Sequence, residues 1–90
     1  MKEQAGTMKL AKYVKFREEK FGSVLFETRS EKVYTLNPTA TAVVRAIQSG
    51  NDEKNIPARL KEQFNESGGS IEREAIAFLA ELRQKGLVED

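Results

Sequence analysis

The sequence predicts an α+β domain: a three-stranded antiparallel sheet followed by a three-helix bundle, in a winged-helix-like layout. Three observations carry this expectation. Residues 13–36 hold three short runs of strand formers, joined by polar connections of three to five residues, the length that makes antiparallel neighbours. From Asn37 onward the apolar residues recur at helical spacing. Between the two regimes stand only Asn37 and Pro38, so strands and helices are segregated along the chain, as in α+β folds.

Residues 1–11 are mostly polar, have no periodicity, and read as a flexible terminal segment preceding a domain over 12–90. The first strand is expected at Tyr13-Val14-Lys15-Phe16-Arg17, where Val14 and Phe16 share one face and Lys15 and Arg17 the other. Glu18-Glu19-Lys20-Phe21-Gly22 reads as a turn, with Gly22 able to take positive φ. Ser23-Val24-Leu25-Phe26-Glu27-Thr28 is the second strand, and Arg29-Ser30-Glu31 a connection of hairpin length. Lys32-Val33-Tyr34-Thr35-Leu36 is the third, at one edge of the sheet if strand order follows sequence.

Asn37 caps the first helix, with Pro38 in its first turn. Ala42, Val43, Ala46 and Ile47 mark its apolar face, and Gly50 is a candidate C′ residue. A second helix starts between Asp52 and Asn55. Pro57 is accommodated better if Asn55 is the cap, giving a helix from Ile56 to Phe64 with Ile56, Leu60 and Phe64 in line. Asn65 to Gly69 is a loop, most flexible at Gly68-Gly69. The third helix is expected to start at a Ser70 cap. It carries the stripe Ile71, Ala75, Phe78, Leu79 and Leu82, and ends in a Schellman turn with Gly86 in the left-handed region and Leu87 folding back. Val88-Glu89-Asp90 reads as a tail.

The composition narrows the function. With 90 residues there is room for one core; 39% hydrophobic and 32% charged residues describe a globular chain. Cysteine and histidine are both absent, which removes thiol chemistry, Cys-based metal sites and the commonest general base and metal ligand. No metal or cofactor is expected. No apolar run approaches the ~20 residues that span a bilayer, and the N-terminal segment lacks a signal peptide's apolar core. The expected location is cytoplasmic. Residues 1–20 carry six Lys/Arg against three acids, and residues 50–90 carry six against nine. An acidic C-terminal half argues against nucleic acid.

Glu72, Glu74 and Glu81 project at different angles from one helix, with no His or Cys to couple to, and read as helix charge and capping rather than an acid/base set. Gly68-Gly69-Ser70 lacks the patterns of phosphate-binding loops. The alternative function is a winged-helix DNA binder, with Arg59, Lys61 and Gln63 or Arg73, Arg83, Gln84 and Lys85 as the reading residues; interleaved glutamates weaken that reading. The remaining candidate is the third strand. An edge strand with only one charge, Lys32, and no proline is a template for another chain, whether an extended peptide or a second copy of this one. Ile76, outside the main stripe beside Ala80 and Arg83, suggests an apolar wall on the third helix. The residues alone leave open whether this edge is a docking site or a solvated rim.

The segments "FGSVLFETRSEKVYTLNPTATAVVRAI", "IPARLKEQF" and "EAIAFLAELRQKGLV" resemble the PqqD-like family, whose members are also called RiPP recognition elements. The resemblance covers residues 13–89. It rests on the ordered set: a strand ending in Leu36-Asn37 that runs into a helix, a helix ending near Phe64, and a last helix closing with Phe78-Leu79, Leu82 and Gly86-Leu87-Val88. It implies a non-catalytic chaperone that binds the leader of a ribosomally made precursor peptide as an added strand. The chaperone then presents that peptide to a modifying enzyme, often a radical SAM enzyme. Carried over residue by residue, the implied peptide site is Lys32, Val33, Tyr34, Thr35 and Leu36 on the strand, with Ile76, Leu79, Ala80 and Arg83 on the third helix. Two positions depart from the pattern: Glu74 stands where many relatives have Asp, and Pro57 stands where an unbroken helix start would be expected. Phe21-Gly22 is similar to members outside quinone synthesis, so the resemblance does not assign a product.

Overall fold

The computed structural model describes residues 8–65 and 68–90. In chain order the elements are β1 (Lys9–Leu10), β2 (Val14–Glu19), β3 (Gly22–Glu27), β4 (Lys32–Leu36), α1 (Pro38–Gln48), a single 3₁₀ turn (Glu53–Asn55), α2 (Ile56–Gln63), α3 (Ser70–Gln84) and β5 (Val88–Glu89). The strands β2, β3 and β4 form the predicted antiparallel meander in that order. The predicted third strand is therefore β4, and it lies at the edge.

The join from sheet to bundle is built as its residues suggest. The Asn37 side chain accepts a hydrogen bond from the Ala40 amide at 2.9 Å, and Pro38 occupies the first turn of α1. A cap of this kind is worth about 1 kcal/mol. Helix α1 is the hub of the core. Ala40, Thr41, Ala42, Val43, Val44 and Ile47 are all buried, because the sheet covers one side of the helix and α2 and α3 cover the other. The buried Ser23 and Thr41 hydroxyls share a 2.7 Å hydrogen bond that ties β3 to this helix. Both long helices end in Schellman turns. The Asn51 amide donates to the Ala46 carbonyl and Gly50 to Ile47; at the end of α3, Leu87 donates to Leu82 and Gly86 to Arg83.

Gly22 is required by its surroundings. Its φ is +149°, and a Cβ there would lie 2.4 Å from the Leu36 carbonyl oxygen. The start of β3 thus passes against the end of β4 with no room for a side chain.

Four expectations change. Residues 8–11 are not a free lead-in: Met8 and Ala11 are buried, and Lys9–Leu10 pairs antiparallel with Val88–Glu89. The C-terminal "tail" is its partner strand. Two-residue strands are too short to show a period, and this pairing joins the two ends of the chain, so no local pattern marks it. Residues 1–7 lie outside the described residues, as do residues 66 and 67 of the expected loop. Tyr13 precedes β2, and its hydroxyl donates to the Gly86 carbonyl at 2.7 Å, fastening the entry to the sheet onto the end of α3. The start of α2 is as expected, with Asn55 at the cap position, Ile56 first and Pro57 in the first turn, and Asp52 caps the 3₁₀ turn before it by accepting from the Lys54 amide at 3.1 Å. Gly69, with φ +86°, occupies the cap position of α3 that Ser70 was expected to fill.

Candidate functional site

The register of the sheet decides which backbone groups of β4 are free. Lys20-Phe21 is a two-residue hairpin loop, so the flanking residues Glu19 and Gly22 form a hydrogen-bonded pair. Successive residues of a strand turn their N–H and C=O to opposite sides. In β3, therefore, Gly22, Val24 and Phe26 bond to β2, while Ser23, Leu25 and Glu27 bond to β4. These last three are paired with Leu36, Tyr34 and Lys32. The N–H and C=O groups of Val33 and Thr35 then point away from the sheet. Among the described residues no strand covers that side of β4.

The side chains alternate in the same way. Tyr34 and Leu36 face the helices; Val33 and Thr35 are exposed on the opposite face. The loop that delivers β4 is held by Glu27. Its carboxylate accepts from the Ser30 hydroxyl and, at 3.4 Å, from the Arg29 guanidinium. The Ser30 bond is the larger cause that holds the Glu27 carboxyl below its ordinary value, with Arg29 adding to it.

Between β4 and α3 lies a groove of about 420 Å³. Residues 33–37 form one wall. Phe78, Glu81, Leu82 and Lys85 form the other, and Leu25, Ala40 and Leu87 complete the lining. Two contacts sit at its mouth: Lys85 lies 3.6 Å from Glu81 and 5.8 Å from the Tyr34 ring centroid. Exposed contacts of this kind contribute only a few tenths of a kcal/mol to about 1 kcal/mol each, so an incoming chain can displace them.

The structure brings Lys32 to Leu36 together along the edge, as the sequence suggested. It does not bring the predicted residues of α3 to that edge. Ile76, Leu79, Ala80 and Arg83 line a separate hollow with Glu53, Lys54, Pro57 and Ala58, on the flank of α3 that faces the 3₁₀ turn and α2. Leu79 is buried, and Ile76 is 57% exposed within that second hollow. Arg83 is engaged by Glu53 and, at 2.9 Å, by Asp90. Those bonds favour the charged guanidinium and depress the Asp90 carboxyl. The α3 residues that line the groove beside β4 are instead Phe78, Glu81, Leu82 and Lys85, none of them in the expected site. The signal for them was the half-buried Phe78 with Leu82 and Lys85 one and two turns on, a flank of the stripe distinct from that of Ile76. Which flank meets β4 depends on how α3 crosses the sheet, which helical periodicity does not encode.

Among the described residues no cluster of acids is placed to hold a metal ion, and no helix is long and apolar enough to cross a membrane.

No curated protein matches the sequence significantly. Among solved structures, "Lasso peptide synthetase B1 complexed with the leader peptide" is similar with a TM-score of 0.77 and 21% identity, covering 93% of this chain and 99% of that one. "TbiB1 in Complex with the TbiA(beta) Leader Peptide" is similar with a TM-score of 0.76 and 18% identity, covering 90% of this chain and 94% of that one. At these identities the likeness establishes the shared fold. The family model for coenzyme PQQ synthesis protein D (PqqD) matches residues 22–88, from the start of β3 to the start of β5, and the chain therefore belongs to the PqqD family.

Proposed function

We propose that this protein is a non-catalytic module that binds the leader of a ribosomally synthesised precursor peptide along β4 and presents it to a peptide-modifying enzyme, a radical SAM enzyme being the expected partner. The carrying observation is the open backbone of Val33 and Thr35 beside the groove under Tyr34 and Leu36. The family membership and two structural neighbours that hold leader peptides support it.

Val33 and Thr35 offer two donors and two acceptors to an incoming strand. Four backbone hydrogen bonds contribute about 2–6 kcal/mol net, less than the cost of association in many estimates, about 4–15 kcal/mol. Side chains must supply the difference. Peptide residues on the inner face lie over Tyr34 and Leu36, where the half-buried Tyr34 and Phe78 rings offer apolar surface above a floor of Leu25, Leu82 and Leu87. The rail sets register, and the groove supplies the affinity.

The test is calorimetric titration with three peptides: a full precursor encoded in the source genome, its leader alone, and its core alone. The full precursor and the leader should bind with matching affinity and the core should not. Core binding without leader dependence would contradict the proposal. So would salt-dependent binding to duplex DNA with no peptide binding at all.

A further inference from the structure

Resting on that reading, we infer that the bound peptide also carries an apolar side chain on the outer face of the sheet, directly beside Val33, so that recognition reads both faces of the added strand.

The register arranges the outer face in two rows. Lys15, Phe26 and Val33 form one; Arg17, Val24 and Thr35 form the other. Edge strands usually place charged or polar side chains where they could meet another chain. Here the middle of the edge carries Val33, 59% exposed, next to Phe26, 37% exposed. The two are a non-hydrogen-bonded pair, the arrangement in which side chains stand closest. Phe26 flanks Val33 on the inward side, and among the described residues no strand flanks it toward the open edge.

A strand added to β4 lies about 4.8 Å beyond it. In parallel and antiparallel ladders alike, a residue directly opposite Val33 shares its face. That peptide side chain stands over Val33 and, if long, reaches the edge of the Phe26 ring. Two residues along, the peptide side chain opposite Thr35 meets a hydroxyl, with Arg17 on the same row. The outer face therefore asks for an apolar residue at one position and tolerates a polar one at the next. Its apolar residue is a chain neighbour of the inner-facing residue over Tyr34. The bound segment should thus contain two adjacent apolar residues, not a strict apolar–polar alternation.

The test is selection from a display library of random linear decapeptides on the wild-type protein and on Val33→Thr, which keeps the β-branch and both backbone groups. Wild-type selections should converge on an adjacent apolar pair. Val33→Thr selections should keep the inner preference and lose the outer one, and a wild-type-selected peptide should bind Val33→Thr about threefold to fivefold more weakly. Selected peptides that alternate strictly, or that bind Val33→Thr unchanged, overturn the inference while leaving the rail intact. Selected peptides that bind Thr35→Pro as tightly as wild type overturn the rail, and the inference with it.

Discussion

Proline substitution along β4 separates the backbone rail from the fold. Val33 and Thr35 each direct an N–H to the open edge, so Val33→Pro or Thr35→Pro removes no bond to β3. Proline is tolerated on edge strands in this orientation. The preceding residues, Lys32 and Tyr34, are already extended, as a residue before proline prefers. Stability should remain within about 1 kcal/mol of wild type. Binding should not. The lost donor costs about 0.5–1.5 kcal/mol, and the peptide carbonyl left unpaired in the interface raises the total to about 1–3 kcal/mol. That corresponds to leader affinity roughly 5- to 150-fold weaker for each substitution. Tyr34→Pro is the control: it removes the amide paired with Leu25 and should destabilise the fold by about 2 kcal/mol or more. The assay is leader binding by fluorescence anisotropy, set beside thermal melts of each variant. If Val33→Pro and Thr35→Pro both fold and bind as wild type does, the reasoning from register to function fails.

Three further outcomes are expected. Phe78→Ser should weaken leader binding about tenfold or more through lost apolar contact in the groove, while Ile76→Ser, in the second hollow, should leave it unchanged; titration of both variants checks the placement. Gly22→Ala forces a Cβ to within 2.4 Å of the Leu36 carbonyl at a φ of +149°, and should cost at least about 2 kcal/mol in urea unfolding. The Glu27 carboxyl titrates below its ordinary 4.5 when folded, so its contribution is complete above that value and is lost as pH falls through the folded value. Melting temperatures of wild type and Glu27→Gln should therefore differ at pH 7 and converge as the pH falls through the folded value, below the ordinary 4.5.

Much of the fold was legible because its signals are local. Alternation in Val14 to Arg17, the Asn37-Pro38 cap and the Gly86-Leu87 ending each lie within a few residues of the structure they specify. The closure of β1 on β5 was not legible, because Lys9–Leu10 and Val88–Glu89 are separated by most of the chain and each is a single pair of residues. At the site the division is similar. The open edge followed from strand order alone. The wall opposite it did not: Phe78 and Ile76 sit on two flanks of the same buried stripe, and only the crossing of α3 over the sheet decides which flank looks at β4. The outward aim of Val33 and Thr35 needed the two-residue loop at Lys20-Phe21, because a four-residue loop closed by a hydrogen-bonded Glu18–Ser23 pair would have reversed the parity of the ladder.

Amide hydrogen exchange on β4, read residue by residue with and without leader peptide, tests the central claim most directly. In the free protein the Tyr34 and Leu36 amides should be protected by β3, and those of Val33 and Thr35 should exchange freely. Adding leader should protect Val33 and Thr35 and change the other two little. Protection that appears only on α2 and α3, with Val33 and Thr35 still exchanging freely in the complex, would contradict strand addition at this edge.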